Sequence, residues 1–425
     1  MVAGKHIKGQ VPQKYIDAHN DILTNFNTRF PESKLLQKLT HTDPEELVRQ
    51  ALETISQSQD RAAEVLRLYE SKRVPVPLLA AATGKNEFDT WAGLINESRF
   101  HLYMAAGTNE EEQFNLEQCD KAAKHSLVLS LSGLMTFSLL GLLEVLASRF
   151  TCIVFQSTLD ELHRIQQKAA VNVDGYMLIH KEGEQFIRTE VTAEDTARVG
   201  EALNKMVAFV EERCQLAGLQ TAPSNADLEV SQKVGIHNLH TALLGKEIGM
   251  PVLSDDKPLA EVMRLMHGTA YINTQSVLQH LLRTRAISDD EYLRHIHTLL
   301  LCGYTYVRLR PQDFFATLVK DSFNLTAIVR AVLQMLEAPE TTLDSAVQVG
   351  AWLLGSVFLD SIPIETKRNI GMYILQCVTQ RHERRFVLVR IRALLRNRLE
   401  RLAVVQLQEV NRLISDWERT IPLFG

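Results

Sequence analysis

Residues 126–162 read SLVLSLSGLMTFSLLGLLEVLASRFTCIVFQSTLDEL, and the reading of this run decides the fold. From Leu127 to Ala147 it carries one charge, Glu144. That length approaches the roughly 20 apolar residues that cross a bilayer. Two features speak against a membrane span. The block opens on the alternation Leu127-Val128-Leu129-Ser130-Leu131, and past Ser148 and Arg149 it continues into a β-rich run, Cys152 to Phe155. A buried strand, a buried helix and a second buried strand account for both, and no membrane association is expected. The second strand runs straight into STLDELHRIQQ. This places Ser157 as an N-cap and Glu161 in the first helical turns, at the C-terminal edge of a parallel sheet, where open α/β folds carry their chemistry. Further on, Met250-Pro-Val-Leu-Ser-Asp-Asp-Lys repeats the arrangement, with a short strand at Val252 to Leu253 ending in Asp255 and Asp256.

On these motifs, with GTAYINTQSVL from Gly268 and ISDDEYLRHIHTLLLCGYTYVRL from Ile287, the chain resembles the PIN-like domain superfamily of metal-dependent nucleases over roughly Leu127 to Asp321. The resemblance implies an α/β fold, a PIN-like parallel sheet flanked by helices, with a cluster of acids at the strand ends. It places Ser130 at the first acidic position, Glu161 at the second, His240 at the third, and Asp256, with Asp255 beside it, at the fourth. The implied catalytic acids are Glu161, Asp255 and Asp256, and the implied ligands of Mg2+ or Mn2+ are these three and His240; if the site is inactive, no cofactor is expected. Members of the family often work in toxin or phage-defence settings, and the resemblance extends that expectation to this chain.

Two-metal phosphodiester hydrolysis clamps the attacking and leaving oxygens between cations roughly 3.5–4 Å apart. Magnesium takes hard oxygen ligands, so such a site calls for several carboxylates, and positions 130 and 240 supply none. His237 and His240 stand i, i+3 on one helical face, a pair that suits manganese or zinc better than magnesium. Each candidate also has a structural reading. A histidine early in a helix serves as a capping or packing residue, and Ser254-Asp255-Asp256-Lys257-Pro258 is an ordinary N-cap before a helix from Leu259.

At 425 residues the chain is too long for one compact core. Its 45% hydrophobic and 23% charged residues are ordinary for a folded soluble protein. A net charge of −5 and a pI near 6.3 give no global attraction to nucleic acid, so such binding requires a local patch. The five cysteines are scattered without a CxxC pair, which implies reduced thiols and a cytoplasmic location. The domains expected are an arm over 1–41, a helical region over 42–124, an α/β domain over 125–321 with a hairpin inserted at about 175–190, and a helical region over 322–425. Thr42-Asp43-Pro44-Glu45-Glu46 opens the first helix. LLAAATGKNEFDTW reads as a helical corner or, weakly, as a helix-turn-helix. A helix from Thr192 to about Ala217, a polar loop from Gly218 to Asp227, and a helix from His237 to Ile248 stopped by Gly249 lead to the second acidic strand end.

From Leu325 the pattern is helical throughout, with one long final helix from Arg384 to about Trp417. Arg381 to Arg401 holds eight arginines. Arg381, Arg385, Arg392 and Arg396 fall within about 60° of one another at 100° per residue. This stripe reads as a track for a phosphate backbone, as a match for acidic surface on a partner, or as a solvated face. The function expected is that of a PIN-like protein with a degraded nuclease site that binds RNA, DNA, a partner protein or a second copy of itself. The alternatives are an active metal-dependent nuclease and a scaffold subunit of a larger assembly.

Overall fold

The computed structural model of the chain describes residues 64–71, 74–96, 101–105, 108–170, 176–182, 185–305, 307, 309–338, 341–380, 383–399 and 403–419, with 25, 28 and 29. These fall into two units, one drawn from Met1–Glu87 and Asp160–Val207, the other from Phe88–Leu159 and Ala208–Gly425. The helix start at Thr42 and the guanidinium of Arg381 lie outside the described residues.

Ahead of the sheet, the described residues include α1 (Val76–Thr83), α2 (Glu87–Asn96), β1 (Leu102–Tyr103) and α3 (Asn109–Lys124). Helix α1 stops at Gly84, whose left-handed φ of 66° suits glycine. Helix α3 is capped by Thr108, which accepts from the Glu111 N–H, and Glu110, Glu111 and Glu112 face the positive end of its dipole.

The opening stretch folds as β2 (Leu127–Leu129), α4 (Leu131–Leu139), α5 (Leu143–Arg149) and β3 (Cys152–Phe155). Both strands are where the alternation and the β-rich run place them. The single helix expected between them is instead two, bent by 116°, with Gly141 at φ 68° in the break. No single helix among the described residues is long and apolar enough to cross a membrane.

From β3 the chain enters α6 (Gln156–Ala170), the hairpin β4 (Tyr176–Glu182) and β5 (Gln185–Val191), and α7 (Ala193–Arg213). The hairpin is antiparallel, as the sequence implies, from Tyr176 opposite Val191 to Glu182 opposite Gln185. Within the first unit Gln166 of α6 donates to Asn204 of α7. The helix expected to reach Ala217 ends at Arg213, because Gln215–Ala217 forms β6 and pairs with β3. The polar loop also shortens: Ser224 and Asp227 form a reciprocal capping box that starts α8 (Asn225–Val234).

The helix α9 (Ile236–Ile248) ends at Gly249 in the left-handed conformation, and β7 (Val252–Leu253) comes next. After it stand α10 (Lys257–His267), β8 (Tyr271–Ile272) and α11 (Thr274–Arg283). The five strands form one parallel sheet in the order β6-β3-β2-β7-β8. From β2 the chain adds β3 and β6 on one side, then returns to add β7 and β8 on the other. The order therefore reverses between β2 and β7, where open α/β sheets leave their crevice. Val128, Phe155, Leu244 and Val252 form a buried cluster beneath it.

The remaining elements are α12 (Asp289–Leu301), β9 (Tyr304–Thr305), α13 (Pro311–Lys320), α14 (Ala327–Gln334), α15 (Leu343–Leu359), α16 (Ile364–Thr379), α17 (Arg384–Leu399) and α18 (Val404–Arg419). Strand β9 pairs with β1 in a separate two-stranded ribbon. From Phe314 to Ile414 one apolar core runs through the helices α13 to α18. The one long final helix that the sequence pattern suggests is divided into α17 and α18.

Gly133 sits where α4 meets the end of β7: a Cβ there would lie 2.8 Å from both the Leu253 Cγ and its carbonyl oxygen. Gly133→Ala is expected to destabilise the chain by about 1–3 kcal/mol in urea unfolding, as overpacking does. Gly200→Ala, in open space on α7, should stabilise it by about 0.5–1 kcal/mol. Equal effects at the two positions would show that the close approach at Gly133 is unimportant.

Candidate functional site

The two strand ends that flank the reversal carry the same pair of residues, Leu129-Ser130 and Leu253-Ser254. Because β2 and β7 are parallel and in register, the two serines and the residues just past them come together. Ser130 caps α4: its Oγ accepts from the Gly133 N–H at 3.2 Å and donates to the Leu253 carbonyl at 2.7 Å. Ser130 Oγ also lies 3.0 Å from Ser132 Oγ, which lies 3.1 Å from Ser254 Oγ. Ser132 Oγ accepts the Asp255 N–H at 3.1 Å, and Ser254 Oγ accepts the Asp256 N–H at 3.4 Å. All five residues are buried.

The two acids close this network from the other side. Asp255, 3% exposed, accepts from the Thr274 N–H at 2.8 Å and from Thr274 Oγ1 at 2.5 Å, which ties the end of β7 to the start of α11. Burial pushes the Asp255 carboxyl above the usual carboxylate range, against the hydrogen bonds from Thr274 and Thr136, which lower it. Asp256, 2% exposed, is the N-cap of α10 and accepts the Leu259 N–H at 3.1 Å. The Thr136 hydroxyl lies 2.8 Å from the Tyr304 hydroxyl, which also accepts from Trp91 Nε1 at 2.9 Å. Burial, and then the charge of Asp255, raise the Tyr304 phenol.

His240 belongs to a neighbouring polar contact between α9 and the start of α6. Its Nδ1 lies 3.1 Å from Ser157 Oγ, and its ring centroid lies 4.6 Å from that of Phe155. Burial, then the charge of His237, lowers its pKa, so the ring is neutral at pH 7 and suited to hydrogen bonding. Ser157, expected as the N-cap, is inside the first turn of a helix that begins at Gln156. Thr158 and Thr241 repeat the α6–α9 contact one residue on, at 3.1 Å between hydroxyls. Glu161 lies in the first unit, where its carboxylate takes a two-pronged bond from Arg164 at 2.6 and 2.7 Å. Among the described residues, no three His, Cys, Asp or Glu side chains gather closely enough to hold a metal ion.

The arginine stripe is divided in its use. Arg392 binds both carboxylate oxygens of Glu418, at 2.8 and 2.7 Å, and Ser415. Beside the stripe, Arg390 pairs with Asp344 at 2.5 Å. Arg398 donates to the Trp352 carbonyl and Ser356 Oγ and stands over the Trp352 ring. Arg385 and Arg396 remain on the surface.

A family model described as the PIN domain associated with the TPR-GreAB-C-PIN system matches residues 128–264. The segment is a PIN-like domain. Its limits take in β2 through most of α10, and so both strand ends of the reversal. No curated protein and no solved structure matches the chain. Sequence reasoning about this PIN-like domain missed Ser132 and Thr274 and read Ser254 only as part of a helix cap, although the repeated Leu-Ser at two strand ends was a usable signal.

Because the folded Asp255 carboxyl keeps its proton to higher pH than the unfolded one, its stabilising contribution is complete below the ordinary carboxylate value and is lost as pH rises through the folded value. Asp255→Asn should therefore flatten the stability profile in that window, measured by urea unfolding at a series of pH values. An unchanged slope would show that another group sets it. Asp256→Ala should cost about 1 kcal/mol, whereas Asp256→Asn, an equally good cap, should cost a few tenths at most, roughly.

Proposed function

We propose that this is a PIN-like protein that works by binding, and that the acidic nuclease centre implied by its resemblance has become a structural clasp. What carries this reading is that both carboxylates at the end of β7 accept backbone N–H groups that begin helices, Leu259 for Asp256 and Thr274 for Asp255. Three points support it further. The first acidic position is a serine whose hydroxyl donates to a backbone carbonyl. The third is a neutral histidine bonded to Ser157. The second, Glu161, is engaged by Arg164. This donor set does not fit two divalent cations, which need several carboxylates with open lone pairs.

The description of the matching family names a TPR-GreAB-C-PIN system, and we read the chain as a subunit that contacts other components of such a system; the toxin or phage-defence setting is what the PIN-like resemblance implies. Nucleic acid is a second reading, favoured by the exposed guanidinium groups of Arg384, Arg385 and Arg396 on one helix.

The test is to incubate the full chain with end-labelled single-stranded RNA and DNA in millimolar Mg2+ or Mn2+ and to resolve the products on gels. No cleavage above a buffer control is expected, for the wild type or for Glu161→Gln and Asp256→Asn. Metal-dependent cleavage abolished by those two substitutions, in variants with unchanged unfolding midpoints, would falsify the reading.

A further inference from the structure

The helix α17 buries Val387, Leu388, Ile391, Leu395 and Leu399 in the C-terminal core. At 100° per residue, the side facing away from that core carries Phe386, Val389 and Ala393, spaced by three and four residues, with Arg396 three residues on at its edge. This spacing is that of a seam against which a second helix packs. The described residues leave it open: Phe386 is 49% and Val389 61% exposed, and Ala393 is exposed as well. Isolated apolar residues on a surface mean little, but a run aligned along one helix marks an interaction face.

The charges along the seam identify what fits it. Between Arg384 and Leu399 the helix has no acidic residue, and Arg385 and Arg396 lie along one flank of the seam. A second copy of this chain laid on the seam would bring arginines toward arginines and offer no acid from α17, so charge disfavours self-pairing. A phosphate backbone is also a poor match. Arg390, Arg392 and Arg398 are already engaged by Asp344, by Glu418 and by Ser356 with the Trp352 carbonyl. A nucleic acid strand on this face would find the Phe386 ring with the Arg390 guanidinium already 5.6 Å from its centroid, and would lie over Val389 and Ala393, which offer neither a hydrogen bond nor a stacking ring.

We propose that the outward face of α17 docks an amphipathic helix of a partner protein, with an apolar ridge against Phe386, Val389 and Ala393 and acidic side chains beside Arg385 and Arg396. This rests on the reading of the chain as a binding protein, and names the class of partner. Recognition takes the helix-in-groove mode, with apolar anchors for affinity and charge for register.

The probe is a fluorescein-labelled 21-residue helical peptide with leucines at its seam and glutamates on its flanks, titrated with the full chain in fluorescence anisotropy. A peptide with lysines for glutamates and a 20-nucleotide single-stranded RNA are measured in parallel. The acidic peptide should bind, and the lysine peptide should not. Val389→Asp and the double change Arg385→Glu with Arg396→Glu should each weaken binding by roughly tenfold or more. The lysine peptide should then bind the doubly reversed chain, a gain that misfolding cannot produce. The proposal is overturned if neither peptide binds. It also falls if RNA binds and Arg→Glu alone, not Val389→Asp, removes it, or if Val389→Asp dissolves a dimer of the chain in sedimentation. Cleavage of RNA in the nuclease assay would sink the reading of the acidic site without touching any of these outcomes.

Discussion

The side-by-side packing of β2 and β7 is the constraint on which the PIN-like domain depends. The two strands are in register, and past their ends the chain must turn into α4 on one side and α10 on the other. Both turns occur in a space too small for a Cβ at Gly133 and too buried for an unsatisfied polar atom. Ser130, Ser132 and Ser254 meet this demand with hydroxyls, which donate and accept at the same time, so each relays the next contact. Asp255 and Asp256 then carry the satisfaction outward to the backbones of α11 and α10. Strand order, helix starts and acid placement are thus one arrangement.

The parts of this arrangement legible in the sequence were those set by local pattern. Alternation at Leu127 to Leu131 and the β-rich Cys152 to Phe155 marked two strands, and Gly249 marked the end of α9. The parts that were not legible depended on pairing or on geometry beyond the window. Gln215-Leu216-Ala217 comes after a long helix and contains nothing that favours a strand except the free edge of β3 beside it. Tyr271-Ile272 is two residues long, and its extended form is fixed by β7. The break at Gly141 was hidden because the apolar pattern runs through it unaltered, while a positive φ is a property of the packed chain.

The strand end before Asp255 and Asp256 was legible, but the role of the two acids was not: a sequence does not tell an acid that faces a cavity from one that caps a helix, since both sit just past a strand. The same holds for the arginines. Arg392 and Arg396 are equivalent on a helical wheel, yet Glu418 on α18 reaches the first and no described acid is paired with the second. Such pairings join residues 26 apart, so a stripe read from one helix overstates its free charge.

The serine at position 130 is a consequence of these contacts. Its hydroxyl sits 2.7 Å from the Leu253 carbonyl, and the Ser130 N–H donates to the same oxygen. An ionised carboxylate there has no proton to give, and would set acceptor against acceptor at a buried position. An acid at 130 would therefore meet the Leu253 carbonyl, which also accepts the Ser130 N–H where β7 lies beside β2. Since Ser132 and Ser254 are joined to Ser130 through hydroxyls alone, the whole relay would have to change with it. In this arrangement the carboxylates of Asp255 and Asp256 finish the same pair of strands by holding the N–H groups that begin α11 and α10.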